Sequence, residues 1–151
     1  VKSGDGDGGP PHTSWRLLAL VAFGGALGAP ARWALALNLQ GASSGWPTAT
    51  FLTNLAGAFA LGLVVEALAR LGPDTGARRG TRLAVGTGFL GAFTTYSSFA
   101  LEVDGYLRAG NVALGAGYAA ATVAGGLAAA AAGVAVGSLV RRTGAAGGGR
   151  R

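Results

Sequence analysis

Four long apolar stretches separated by short polar segments organise this chain: Trp15 to Leu39, Pro47 to Leu68, Leu83 to Val103 and Asn111 to Val140. Each is long enough to cross the ~30 Å of bilayer hydrocarbon as a helix. The separators QGASSGW, RLGPDTGARRGTR and DGYLRAG carry Gly, Pro, Asp and Ser, the residues that turn a chain. The pattern predicts an all-α integral membrane protein, four transmembrane helices in a hairpin-linked bundle, forming one domain over residues 15–140. Residues 1–14 lack the apolar content to fold and read as a disordered tail. Residues 141–151, RRTGAAGGGRR, read as a basic, glycine-rich tail.

The first stretch imitates a signal peptide, with Arg16, an apolar run Leu17 to Leu27 and the small-residue triplet Ala29-Pro30-Ala31. It continues apolar through Trp33 to Leu39, and three more stretches follow, so it is read as a helix.

Composition supports a membrane as solvent. Half of the 151 residues are apolar and 12% are charged, about half the ~25% usual for a soluble domain. The mean hydropathy is +0.45. With no Cys, a disulfide framework and thiol chemistry are excluded, and the lone His12 in a Gly/Pro-rich tail makes a zinc or haem site unexpected. No nucleotide-binding GxxxxGK[ST] pattern occurs, and no enzyme activity is expected.

Charge then orients the chain. Lys2, Arg16, Arg70, Arg78, Arg79, Arg82, Arg141, Arg142, Arg150 and Arg151 share one side of the stretches, and only Arg32 and Arg108 fall on or near the other. This bias predicts both termini in the cytoplasm.

Between membrane helices, small residues allow close backbone approach, so the GxxxG spacings Gly24/Gly28 and Gly133/Gly137 predict tight helix packing. The second stretch puts Thr50, Asn54 and Gly57 on one helical face, and the fourth repeats the pattern with Tyr118 and Thr122. A membrane Asn either joins helices or lines a pore, and both readings stand for Asn54. In the third stretch, Gly86, Gly88 and Gly91 precede the run Thr94-Thr95-Tyr96-Ser97-Ser98. Such a helix breaks easily, and irregular backbone at membrane depth is tolerated where it lines a cavity or coordinates a cation. The alternative is a continuous helix whose hydroxyls bond back to their own carbonyls. Arg32 either snorkels or puts positive charge at an aqueous vestibule. Glu66 and Glu102, near stretch ends, are expected to cap, pair with arginine or face water.

The segments GGALGAPARW (24–33), the Thr50-x-x-x-Asn54-x-x-Gly57 face and above all GFLGAFTTYSSF (88–99) resemble the Fluc, or CrcB, fluoride channels. The likeness covers the core from Trp15 to Val140. It implies an antiparallel, dual-topology dimer in a bacterial cell membrane that exports fluoride passively through two pores, with a structural sodium ion at the two-fold axis. By that resemblance the backbone carbonyls of Gly91 and Thr94 from both subunits hold the sodium, and Asn54 donates to fluoride. Tyr96 and Phe99 take the two aromatic positions facing the ion, and Thr50, Thr95, Ser98, Tyr118 and Thr122 extend the polar track. Arg32 matches the family's first-span arginine.

Two departures from the family pattern stand out. Tyr96 replaces the usual Phe, keeping the ring edge and adding a hydroxyl. The ten-to-two charge bias implies one fixed orientation, hence a heterodimer with an oppositely oriented paralogue rather than a homodimer inserting both ways. Two competing readings are a proton-coupled exporter resembling the small multidrug transporters and a non-conducting membrane assembly subunit. The first needs a mid-membrane carboxylate in the first stretch, which has none; the second leaves the Thr94 to Phe99 run without a role.

Overall fold

The computed structural model describes residues 14–39 and 45–140. The expectations for the two tails, over residues 1–13 and 141–151, lie outside them, as do Lys2, His12 and the four terminal arginines. All regular elements among the described residues are helices: α1 (Trp15–Leu39), α2 (Thr48–Leu71), the short α3 (Gly76–Thr81), a π-helical stretch (Arg82–Leu90), a single turn α4 (Gly91–Phe93), α5 (Tyr96–Arg108) and α6 (Val112–Gly137).

Helices α1, α2 and α6 are each long and apolar enough to cross a membrane, and only 11% of each one's most apolar window is buried inside the chain. Their apolar surface therefore faces outward, toward lipid or another chain, and not into a private core.

Close helix contacts fall where the glycine spacings predict. Along α1, a Cβ on Gly24 would run into the Ala84 carbonyl and one on Gly28 into the Phe89 carbonyl, both in the π-helical stretch. Gly88 returns the approach, since its Cβ would lie 2.5 Å from the Val21 carbonyl oxygen. On the other side, α2 lies along α6. There Gly62 faces the Ala130 carbonyl, Gly133 the Phe59 carbonyl and Gly137 the Leu63 carbonyl. Backbone meets backbone in both pairs, as helices lacking a hydrophobic driving force between them require.

The third apolar stretch is not one regular helix. It starts at Gly76, inside the segment expected as a turn, because Arg78 closes that corner by donating to the Leu71 carbonyl at 3.0 Å and to the Pro73 carbonyl at 3.0 Å. Arg82 adds a bidentate pair with Asp74, at 3.0 and 2.7 Å to Oδ2, that holds the Asp74 carboxyl below its ordinary pKa. The helix then widens and stops. Thr94 (φ −76°, ψ 159°) and Thr95 (φ −147°, ψ 120°) are extended, and α5 restarts at Tyr96. The second stretch runs three residues past its expected end, to Leu71, helped by the Glu66–Arg70 pair at 2.6 Å.

Candidate functional site

A helix break frees backbone groups that must find partners elsewhere. Here the partner is Asn54. Its Nδ2 donates to the Thr95 carbonyl at 2.9 Å, and its Oδ1 accepts from the Thr95 N–H at 2.8 Å. One amide side chain thus satisfies both backbone groups of the residue at the break, and one of its two N–H bonds has no partner among the described residues. The Thr95 hydroxyl begins α5 as its N-cap, accepting from the Ser98 N–H at 3.2 Å and lying 3.1 Å from the Ser98 hydroxyl.

On the preceding side, Thr94 turns its N–H and its hydroxyl back to the Leu90 carbonyl, both at 2.9 Å. In an unbroken helix the Thr95 N–H would close on the Gly91 carbonyl. Because it goes to Asn54 instead, the Gly91 carbonyl is released. Gly91 is exposed, and a Cβ placed on it would meet nothing within 4 Å. Among the described residues no cluster of three or more His, Cys, Asp or Glu could hold a metal ion, so a cation here would rely on backbone oxygens. A released carbonyl at a helix break is the oxygen chemistry that suits a sodium ion.

Gly57 on α2 sits directly under the break, where a Cβ would collide with the Thr94 methyl. The Thr50, Asn54, Gly57 face of α2 therefore meets the broken helix along its length. An open groove of about 560 Å³ borders it, walled by Asn54, Gly91, Thr94, Tyr96 and Phe99 on one side and by Thr122, Val123 and Leu127 of α6 on the other.

Beyond the break, a hydroxyl cluster centres on Glu102. Its Oε1 accepts from the Thr50 hydroxyl at 2.6 Å and its Oε2 from the Tyr118 phenol at 2.7 Å. Tyr118 is wholly buried. One turn along α6, Thr122 is 8% exposed and its Oγ1 lies without a hydrogen bond of good geometry. Rings join the groove to this cluster: Tyr96 to Phe99 at 6.0 Å, then Phe99 to Tyr118 at 5.6 Å between centroids. Tyr96 is 81% exposed at the groove rim.

Arg32 stands apart from these contacts. It makes no ion pair with a described residue and lines a second cavity of about 220 Å³ with Thr50, Thr53, Thr95 and Ser98. An unpaired cation facing hydroxyls can attract an anion. The structure thus brings Asn54, Thr95, Ser98, Thr50 and Arg32 around one end of the break, and Tyr96, Phe99, Tyr118 and Thr122 around the groove and cluster. Glu102 departs from expectation. It pairs with no arginine among the described residues, and instead anchors two hydroxyls. Its signal was present in the spacing Tyr96, Phe99, Glu102, Tyr106, which lies along one face of α5. Trp46, edge-on to Tyr118 at 5.1 Å, joins the cluster from a segment whose composition reads only as a turn.

A family model described as CrcB-like protein, Camphor Resistance (CrcB), matches residues 19–134. Among curated proteins, the chain is 49% identical over 121 residues to "Fluoride-specific ion channel FluC 2" of Leifsonia xyli, covering 76% of this chain and 79% of that one. It is 48% identical over 107 residues to "Fluoride-specific ion channel FluC" of Bordetella petrii, covering 71% and 80%. A protein of the same name from Deinococcus radiodurans is 42% identical over 117 residues, covering 76% and 89%. The matched region contains the break, the Asn54 face and the Glu102 cluster.

Proposed function

The chain belongs to the CrcB-like family, and on that premise we propose that it is a fluoride-selective ion channel that lets fluoride leave the cell down its gradient and so limits fluoride toxicity. The observation that carries the reading is the pairing of Asn54 with Thr95, which leaves one amide N–H available beside a line of hydroxyls and ring edges. Fluoride is small and tightly hydrated, so dehydrating it requires donors and positive potential in place of water. Asn54, Thr50, Thr95, Ser98, Tyr118 and Thr122 supply donors. Tyr96 and Phe99 offer ring edges, the positive part of the aromatic quadrupole, and Arg32 supplies charge at the mouth. A narrow track lined this way discriminates against larger chloride by size.

The channel resides in residues 15–140, as four spans in a bacterial cell membrane, with the tails outside it and both termini in the cytoplasm. Two subunits pack antiparallel, giving two pores. Between them a sodium ion, held by the Gly91 and Thr94 carbonyls of each, ties the broken helices together and offsets anionic repulsion. The charge bias favours a partner of opposite orientation encoded separately, making a heterodimer.

Fluoride efflux from liposomes, followed with a fluoride electrode and with chloride as the control anion, tests this reading. The chain is reconstituted alone and with an oppositely oriented paralogue. Selective efflux from the chain alone establishes the channel and refutes obligatory pairing. Silence alone with efflux from the mixture establishes the heterodimer. Silence in both, from folded protein, returns the chain to the role of a non-conducting assembly subunit.

A further inference from the structure

The linker into α2 reaches the polar track through one aromatic residue. The Trp46 indole meets the Tyr118 ring at 90°, centroids 5.1 Å apart, and Phe51 at 75° and 5.8 Å. This segment is fixed at several points. Gly45 turns it with φ +79°, a conformation glycine adopts without strain, and the Gly45 carbonyl accepts a hydrogen bond from the Tyr106 phenol. The Trp46 carbonyl accepts from the Thr48 N–H at 2.8 Å and from its hydroxyl at 3.3 Å. Tyr106 also touches Tyr118 directly, at 6.2 Å between rings.

Tyr118 is consequently held by Trp46, Tyr106 and Phe99, and its ring position decides where its hydroxyl points. That hydroxyl occupies one of the two Glu102 oxygens, and Thr50 occupies the other. With both oxygens engaged, the carboxylate charge is spread into hydroxyl donors. Were the phenol to swing away, one oxygen would face the anion track without a donor and repel what the track carries.

We infer that Trp46, in the segment leading into α2, and Tyr106, on α5, are positioning residues, a clamp that keeps the Tyr118 hydroxyl on Glu102 and so keeps the track passable to anions. The clamp's effect on conduction rests on the fluoride-channel reading, whereas its geometry does not.

The test uses the full chain with Trp15→Phe and Trp33→Phe, both exposed positions, so that Trp46 is the sole indole. In this background Tyr106→Phe removes only the hydroxyl that holds Gly45, and the Trp46 emission is expected to shift to longer wavelength. In the conducting assembly, Trp46→Ala is expected to lower fluoride current roughly two- to tenfold, the loss of one aromatic contact, with Trp46→Phe restoring most of it. Tyr106→Phe should fall between, with elution profiles unchanged. Unaltered emission in Tyr106→Phe overturns the clamp. So does a Trp46→Phe variant that elutes as the parent does yet conducts no better than Trp46→Ala. An emission shift in a parent chain that carries no fluoride in any pairing supports the clamp and overturns the channel reading instead.

Discussion

Asn54 and the backbone of Thr95 hold each other by two hydrogen bonds, 2.9 and 2.8 Å long, across 41 residues of sequence. The amide replaces the helical partners that Thr95 gives up at the break. Asn54→Leu, similar in size and unable to donate or accept, is expected to lower stability by about 2 kcal/mol and to abolish efflux. Asn54→Asp keeps the acceptor for the Thr95 N–H but sets a carboxylate oxygen against the Thr95 carbonyl, and should lose at least as much stability. Thermal unfolding in detergent beside liposome efflux checks both; an Asn54→Leu protein as stable as the parent refutes the bracing role.

Glycines in this chain separate into two kinds. At Gly28 and Gly133 a methyl group would run into a facing backbone carbonyl, so Gly28→Ala and Gly133→Ala are each expected to cost about 1–3 kcal/mol of stability. Gly91 has open space around it, so Gly91→Ala should leave the isolated subunit intact. If a second copy closes on the break, that same alanine will weaken assembly and efflux. Size-exclusion chromatography with cross-linking distinguishes the cases, and a fully assembled, conducting Gly91→Ala protein counts against the two-fold contact at this position.

Tyr96 and Phe99 are neighbours on α5 with different surroundings. Tyr96 is largely exposed, and its hydroxyl makes no hydrogen bond to a described residue, so Tyr96→Phe should shift stability by less than about 0.5 kcal/mol. Phe99 bridges Tyr96 and Tyr118, and Phe99→Ile should abolish efflux from folded protein. Efflux of wild-type size from Phe99→Ile would remove the ring line from the proposed path.

The corner between α2 and α3 carries a pH signature. The hydrogen bond from Arg82 lowers the Asp74 pKa, so the pair favours the folded corner above the ordinary carboxylate range and loses that contribution as pH falls through the lowered value. Both groups are solvent-exposed, and the effect is correspondingly small. Stability measured against pH should show a weak acid limb that Asp74→Asn removes; an identical limb in Asp74→Asn places its origin elsewhere.

Hydropathy alone placed α1 to the residue and α6 to within a few, because a bilayer-length apolar run has few alternatives in lipid. The break at Thr94 and Thr95 was legible in the glycines and hydroxyls around it. What the sequence did not disclose was the partner of its freed groups: the Asn54 amide is two-sided, and its pairing with the Thr95 backbone shows only in the distances. Glu102 was misjudged because its nearness to a helix end suggested water or arginine, whereas α5 and α6 cross so that Tyr118 reaches it first. Trp46 carried no periodicity, since a linker residue has none to show.

The π-helical stretch Arg82–Leu90 has one further consequence. Bonding to the fifth residue instead of the fourth takes up more chain per turn, so it changes the azimuth at which the polypeptide arrives at Gly91. An α-helical path through the same nine residues would advance by a different angle and turn the broken end relative to Asn54. The length of this stretch therefore works as a phase setting. Removing or adding a single residue within it would leave every side chain of the break intact and aim all of them the wrong way.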